Sequence, residues 1–406
     1  MPTEKLYFAD PFRSSFETGE ARLGQFAGKP SIVLDRTIFY PEAGGQLADT
    51  GTLHLGDRAF AIDDTQIDDE GIIHHLTSQL AAGDLGGVSG AARGEIDLGR
   101  RRDHMAQHTA QHMLSRALAD LARTETVSAR LGANSCTVDV SASSLGDAVL
   151  ARAEDLVNAV IRDDVEIRQL FPTDEELETL PLRRAPKVTK DVRLIAIGDF
   201  DLSPCGGTHC TRSGQIGLFR VSGSERYKGG VRVFFNAGER ALRETRAKEG
   251  VLTALATDLT CGLLDVGTAV AKLRGELKTR LDALSSARGE LVLLVADKAL
   301  ADHPAHPSGT TRIVVLRDKD DVAMLRALAG RLTSRPDVVA ICASKDPATG
   351  DFLVVVQRGA GTTFDCAAWL KAATVAKGGR GGGKPDRAEG RLPAEAKSEL
   401  ESPPLA

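Results

Sequence analysis

Two short runs of metal-binding residue types, far apart in the chain, restrict its fold more than any other feature. HTAQH, residues His108–His112, lies in a stretch with helical periodicity; CGGTHC, residues Cys205–Cys210, lies between segments with strand character. On a helix, His108 and His112 share a face with Cβ atoms ~5–6 Å apart, so two imidazoles can grip one ion from the same side. Cys205 and His209 repeat the four-residue spacing on a glycine-bearing turn. A His, His, Cys, His set suits zinc in softness and number. If both halves hold one ion, the fold must bring a helix against a turn between strands.

Each half also has a plainer reading. HxxxH is two polar residues on a solvated face, and the same helix offers a rival pair, His104 and His108. CGGTHC is a structural turn in which Gly206 and Gly207 free the backbone. HTAQH lacks the glutamate that serves HExxH as a general base. A metal here therefore either activates water by itself or holds a substrate.

The rest of the chain falls into segments. Residues 1–92 hold short β-leaning runs (SIVLDRTIFY, GTLHLGDRAFAI, GIIHHL) separated by glycine, aspartate and proline, which predicts a small β-barrel. From Arg100 the pattern turns helical, with Met105, Leu114, Leu118 and Leu121 on one face. A hairpin over SARLGANSCTVDVS, a helix started by Ser144, and a strand VRLIAIGDFDLSP leading into CGGTHC complete an α+β domain over 93–238. Residues 239–300 read as a charged helical connector. Alternating strands and helices over 301–390 predict an α/β domain, and 391–406 read as a disordered tail. The fold class expected is α+β and multidomain.

Composition bounds the function. With 406 residues the chain exceeds one ordinary domain of ~150 residues. A net charge of −5 argues against a chain coated in cations for non-specific nucleic-acid binding, while leaving room for a local basic patch. Aromatic residues make up 4%, too few for a single-strand stacking platform. The N-terminus lacks a signal peptide, no apolar run reaches the ~20 residues of a membrane helix, and six solitary cysteines point to a reducing, cytoplasmic setting.

QHTAQHML followed by CGGTHC resembles the editing domain of alanyl-tRNA synthetases and of their freestanding AlaX-type relatives. TIFYPEAGGQLADTG is similar to the glycine-rich motif that precedes that domain, and KGGRGGGKPDRAEG to the closing motif of the DHHA1 domain. No aminoacylation-domain signature precedes the barrel segment, so the resemblance implies a freestanding editor of the long type. It would hydrolyse mischarged tRNA(Ala) in trans, chiefly seryl-tRNA and also glycyl-tRNA, with one Zn2+ per chain; ATP is not expected. The resemblance makes His108, His112, Cys205 and His209 the zinc ligands and assigns no catalytic side chain beyond the zinc-bound water. It places Thr126 and Ser128 in the amino-acid pocket, with Gly44, Gly45 and Gln46 on the loop that approaches it. Thr126 and Ser128 either contact the substrate hydroxyl or only stabilise the hairpin. Arg100, Arg101 and Arg102 either meet phosphates or form a solvated face. Arg380 and Lys384 sit among glycines as a phosphate nest or a flexible linker. The last domain would bind tRNA or form a homodimer. A non-catalytic tRNA-binding protein with a structural zinc is the competing reading.

Overall fold

Short runs of alternating buried and exposed residues build the first sheet. Its seven antiparallel strands lie in the order Arg58–Ile62, Gly51–Leu55, Ser89–Ile96, Ser15–Phe26, Lys29–Leu34, Ile73–Leu76, Asp64–Ile67. The two edge strands are separated in sequence by Asp63 alone, so the sheet has to curl until its edges meet. A bulge between Thr18 and Ala21 increases the bend. Phe16, Ile32, Leu34, Phe39, Leu53 and Phe60 fill the interior. The computed structural model that shows this describes residues 1–80, 89–186, 192–305 and 309–401.

Helix α1 (Leu98–Ala122) follows, capped by the Asp97 carboxylate, which accepts from the Arg100 N–H at 2.9 Å. The sequence pattern predicts a helix with one apolar face; instead nearly every residue from His104 to Leu118 is buried. The reason is that three elements surround it. Arg101 reaches Asp49 of the barrel, Gln107 donates to Ala237 O at 2.8 Å, and His112 meets Ser203. Ala237 ends a four-stranded antiparallel sheet, in the order Thr126–Leu131, Cys136–Val140, Gly230–Ala237, Phe219–Tyr227. Ser203 belongs to a three-stranded sheet of Ile167–Leu170, Leu194–Ile197 and Asp201–Pro204. Helix α2 (Asp147–Arg162) packs beside α1 and starts after Gly146, not at Ser144. The segment expected as one strand, VRLIAIGDFDLSP, is a hairpin, because Gly198 turns the chain at φ +47°.

The chain divides into two units, Met1–Ala254 and Leu255–Ala406. The second holds the long helix Val266–Asp302 and a five-stranded sheet. Thr311–Asp318 and Val338–Lys345 pair in parallel through the crossover helix Val322–Leu332, while Phe352–Arg358, Arg387–Leu392 and Arg380–Lys384 add antiparallel strands. The glycine-rich run is thus neither nest nor linker but an edge strand; a Cβ on Gly383 would lie 2.3 Å from Arg387 O. Nor is the described part of the tail disordered. Ala396 and Leu400 are buried against Trp369 and Leu370, and residues 402–406 lie outside the described residues. No single described helix is long and apolar enough to cross a membrane.

Candidate metal centre

α1 presents His108 and His112 from successive turns, and the turn after strand Asp201–Pro204 presents Cys205 and His209. One nitrogen from each imidazole and the Cys205 sulfur lie within 4.8 Å of one another, and all three histidines are buried. The ring centroids of His108 and His209 are 4.3 Å apart, and those of His112 and His209 4.8 Å. His104 stands outside the cluster with its Nδ1 unpartnered, which decides between the two helical pairs.

The hydrogen bonds fix each tautomer. Gln46 Oε1 accepts from the Thr208 N–H at 3.1 Å, so it is an acceptor and its contact with His108 Nδ1 at 2.8 Å makes that nitrogen the donor. Thr109 spends its hydroxyl proton on Met105 O, so it accepts from His209 Nδ1. Ser203 donates to Asp201 at 2.9 Å and therefore accepts from His112 Nδ1 at 2.8 Å. All three Nε2 atoms are left bare, and two of them lie 3.3 and 3.2 Å from the Cys205 sulfur. A thiol has one proton and can satisfy only one of them. A cation satisfies all four, so the donor set fits a metal of the zinc type.

Electrostatics agree. Burial opposes ionisation of Cys205, but the three imidazoles outweigh it and hold the thiol well below its ordinary value. Burial and neighbouring His108 push His209 down to about 3, so it stays neutral. Asp201, despite its burial, is held at about 2 by His112 and Arg183 and stands as a carboxylate behind His112.

Beside the cluster is a cavity of about 710 Å³ that His108, Cys205, Gly206 and Gly207 line. Thr126 and Gly44 line it too, and the Thr126 hydroxyl is buried without a partner. Ser128 touches the cavity, but its hydroxyl donates to Asp139 at 2.6 Å and is committed there. Gly45 (φ +87°) docks its loop on the strand Thr126–Leu131, accepting from the Leu131 N–H at 2.8 Å. Gln46 is fully buried and holds His108 and Thr208; it is a positioning residue, not a substrate contact. Within the turn, a Cβ on Gly207 would lie 2.1 Å from His108 Cε1, whereas Gly206 faces open space.

The arginine run separates by burial. Arg101 is fully buried on Asp49, Pro11 O and Ile38 O, which rules out a phosphate role. Arg100 donates to Ala48 O at 2.9 Å, and Arg102 is exposed with its guanidinium 6.0 Å from the Phe12 ring. Arg380 and Lys384 are exposed on the edge strand of the second unit. Sequence reasoning missed Asp201, Ser203, Thr109 and Arg193. Arg193 donates to Cys205 O and Gly207 O at 2.8 and 2.9 Å and stacks on Phe8, clamping the turn. The signals were positional: Thr109 lies within HTAQH, and Ser203 and Asp201 lie just before CGGTHC.

Comparisons with known proteins bear on this arrangement. Residues 192–234 match the Threonyl and Alanyl tRNA synthetase second additional domain, 13–88 match tRNA synthetases class II (A), and 310–402 match the DHHA1 domain. The class II match falls on the curled sheet. An alanine–tRNA ligase of Halorubrum lacusprofundi is 31% identical over 96% of this chain and 42% of the ligase. Those of Idiomarina loihiensis and Pyrococcus abyssi are 30% and 28% identical over 91% and 98% of this chain, and 43% of each ligase. The C-Ala domain from Aquifex aeolicus alanyl-tRNA synthetase aligns over 23% of this chain at 23% identity, with a TM-score of 0.20, too slight a likeness to bear on the fold.

Proposed function

The chain belongs with the alanine–tRNA ligases, spanning about two fifths of their length, and on that premise we propose that it is a hydrolase that deacylates mischarged tRNA(Ala), chiefly seryl-tRNA and also glycyl-tRNA. The observation that carries the reading is a single juxtaposition. Two of the four convergent metal donors, His108 and Cys205, line a cavity that Thr126, with its buried, unpartnered hydroxyl, lines too.

His108, His112, Cys205 and His209 would hold one Zn2+, which when bound supplies Lewis acidity toward an ester carbonyl. The chain's own residues do the rest. Gln46, Thr109 and the Ser203–Asp201 pair aim the imidazoles, and Arg193 holds the turn. Thr126 gives the site its selectivity. A serine hydroxyl pairs with Thr126 Oγ1, while alanine leaves that oxygen orphaned at a cost of about 1–3 kcal/mol. Arg102, Arg380 and Lys384 remain available for tRNA phosphates, and the second unit is the candidate for homodimer formation. A cytoplasmic setting follows from this substrate.

One observation favours a second reading. Four protein donors fill a tetrahedral shell, as in structural zinc sites. The test compares deacylation of seryl-tRNA and alanyl-tRNA(Ala) by the purified chain and by the Cys205→Ala/His209→Ala variant. Cleavage of seryl-tRNA alone, lost in the variant, is expected. Cleavage of neither charged tRNA, with chelation simply unfolding the protein, establishes the structural alternative.

A further inference from the structure

Val138, Val233 and Phe235 turn one face of the four-stranded sheet into the core with α1 and α2. The opposite face carries Thr137, Asp139, Arg232 and Phe234 and opens on two cavities, of about 1010 and 580 Å³, that both touch Ser135 and Phe234. Val127 and Ser128 line the larger cavity and the metal-site cavity alike, so a single strand separates the two. The carboxylates on this face are spent. Asp139 accepts from Ser128 and Arg232, and Glu244 accepts from Ser222 and Asn236 beside Lys248. The cations are in excess. Arg130 and Lys228 are exposed and form no ion pair among the described residues, and Arg243 has only an exposed pair with Glu239. Lys228 also stands at φ +47°, a conformation that favours glycine, so its turn gives up stability to place an ammonium there.

Cations without counter-charges attract a polyanion, and the aromatic rings decide which kind. The Arg232 guanidinium covers Tyr227 at 3.5 Å and Phe234 is half-buried, so the face holds no open ring on which a base could stack. What it does hold suits a sugar–phosphate backbone. Asn236 is buried, lines the smaller cavity and spends Nδ2 on Glu244, which leaves Oδ1 without a partner. That oxygen needs a donor, and a ribose 2′-hydroxyl is one. Double-stranded RNA is recognised through its phosphates and 2′-hydroxyls, whereas single strands are held by stacking. Building on the editing reading, we propose that this sheet face docks the double-stranded RNA stem that adjoins the esterified 3′ end. Arg130, Lys228 and Arg243 face its phosphates, and Asn236 Oδ1 accepts from a 2′-hydroxyl.

The probe is a blunt RNA hairpin with no 3′ overhang to enter the metal-site cavity, its affinity read by fluorescence anisotropy. The DNA hairpin of the same sequence and the matching single strand of RNA are measured beside it. Wild type is expected to bind the RNA hairpin most tightly. Arg130→Gln/Lys228→Gln should weaken that binding and lower its salt slope by about 0.9 for each charge removed. Asn236→Ala should bring the RNA hairpin down to the affinity of the DNA hairpin, with Zn2+ affinity as the check on folding. Wild-type affinity and salt slope in the Arg130→Gln/Lys228→Gln variant overturn the proposal, as does single-stranded RNA bound as tightly as the hairpin. Equal affinity of wild type for RNA and DNA hairpins removes the 2′-hydroxyl contact. Polyglutamate that displaces the labelled hairpin as readily as unlabelled hairpin makes the face a protein site and also overturns it. Wild type that binds the hairpin as expected yet leaves seryl-tRNA intact removes the editing function and keeps the docking face. Wild type that cleaves seryl-tRNA while Arg130→Gln/Lys228→Gln binds and cleaves unchanged does the reverse.

Discussion

A buried imidazole presents a lone pair to an ion only if its other nitrogen is held as a donor, and each of the three here is so held. Gln46→Ala removes the acceptor behind His108 and is expected to lower Zn2+ affinity about 10–100-fold, measured by competition with a chromophoric chelator. Thr126→Val keeps the shape of the cavity wall and deletes the orphan hydroxyl. It should lower kcat/KM for seryl-tRNA by about tenfold or more while leaving Zn2+ affinity unchanged. The four ligands were legible in the sequence because softness and spacing are local properties. Gln46 was legible as a site residue but not in its role, since that depends on Thr208, far along the chain. The Arg101 reading failed for a related reason: RRR looks solvated until Asp49 arrives from another element, and breaking such a buried pair costs ~3–5 kcal/mol.

At the level of elements, α1 is an interior helix whose polar side chains are satisfied by three different neighbours. That is why the recurrence of Met105, Leu114, Leu118 and Leu121 marks only one of its buried faces. The turn after Pro204 depends on only one of its two glycines. Gly207→Ala puts a methyl carbon into the His108 ring and should abolish Zn2+ binding and lower the Tm. Gly206→Ala meets nothing and should change stability by no more than about 0.5 kcal/mol. Glycines read as a flexible linker in RGGGK serve a strand pairing whose register no local pattern discloses.

Across the whole molecule, separate cores fill the two units: Met105, Leu114, Val138 and Phe235 in the first, Leu325, Leu328, Ile341 and Val354 in the second. Calorimetry is expected to show two transitions, of which saturating Zn2+ raises only the first, since a ligand stabilises the body that binds it. The first unit also buries His75 and His104 neutral, each pushed down to about 4 by burial. An unfolded histidine titrates near 6.5. Between about pH 6.5 and 4 the unfolded chain therefore binds protons that the folded one does not. The contribution of these two groups to the stability of the first unit should fall as pH drops through that window, and His75→Gln should flatten the slope.

The contact of Gln46 with His108 and Thr208 joins the barrel loop to a turn 162 positions later. A ribosome finishes the barrel and most of α1 long before it makes Cys205. The growing chain therefore carries two histidines of which only His108 has its acceptor in the barrel, with neither Ser203 to aim His112 nor a sulfur to close the set, and full affinity for the ion arises only once His209 has emerged and folded back. Metal capture during synthesis is thus a late event that reports the docking of the Cys205–His209 turn on α1.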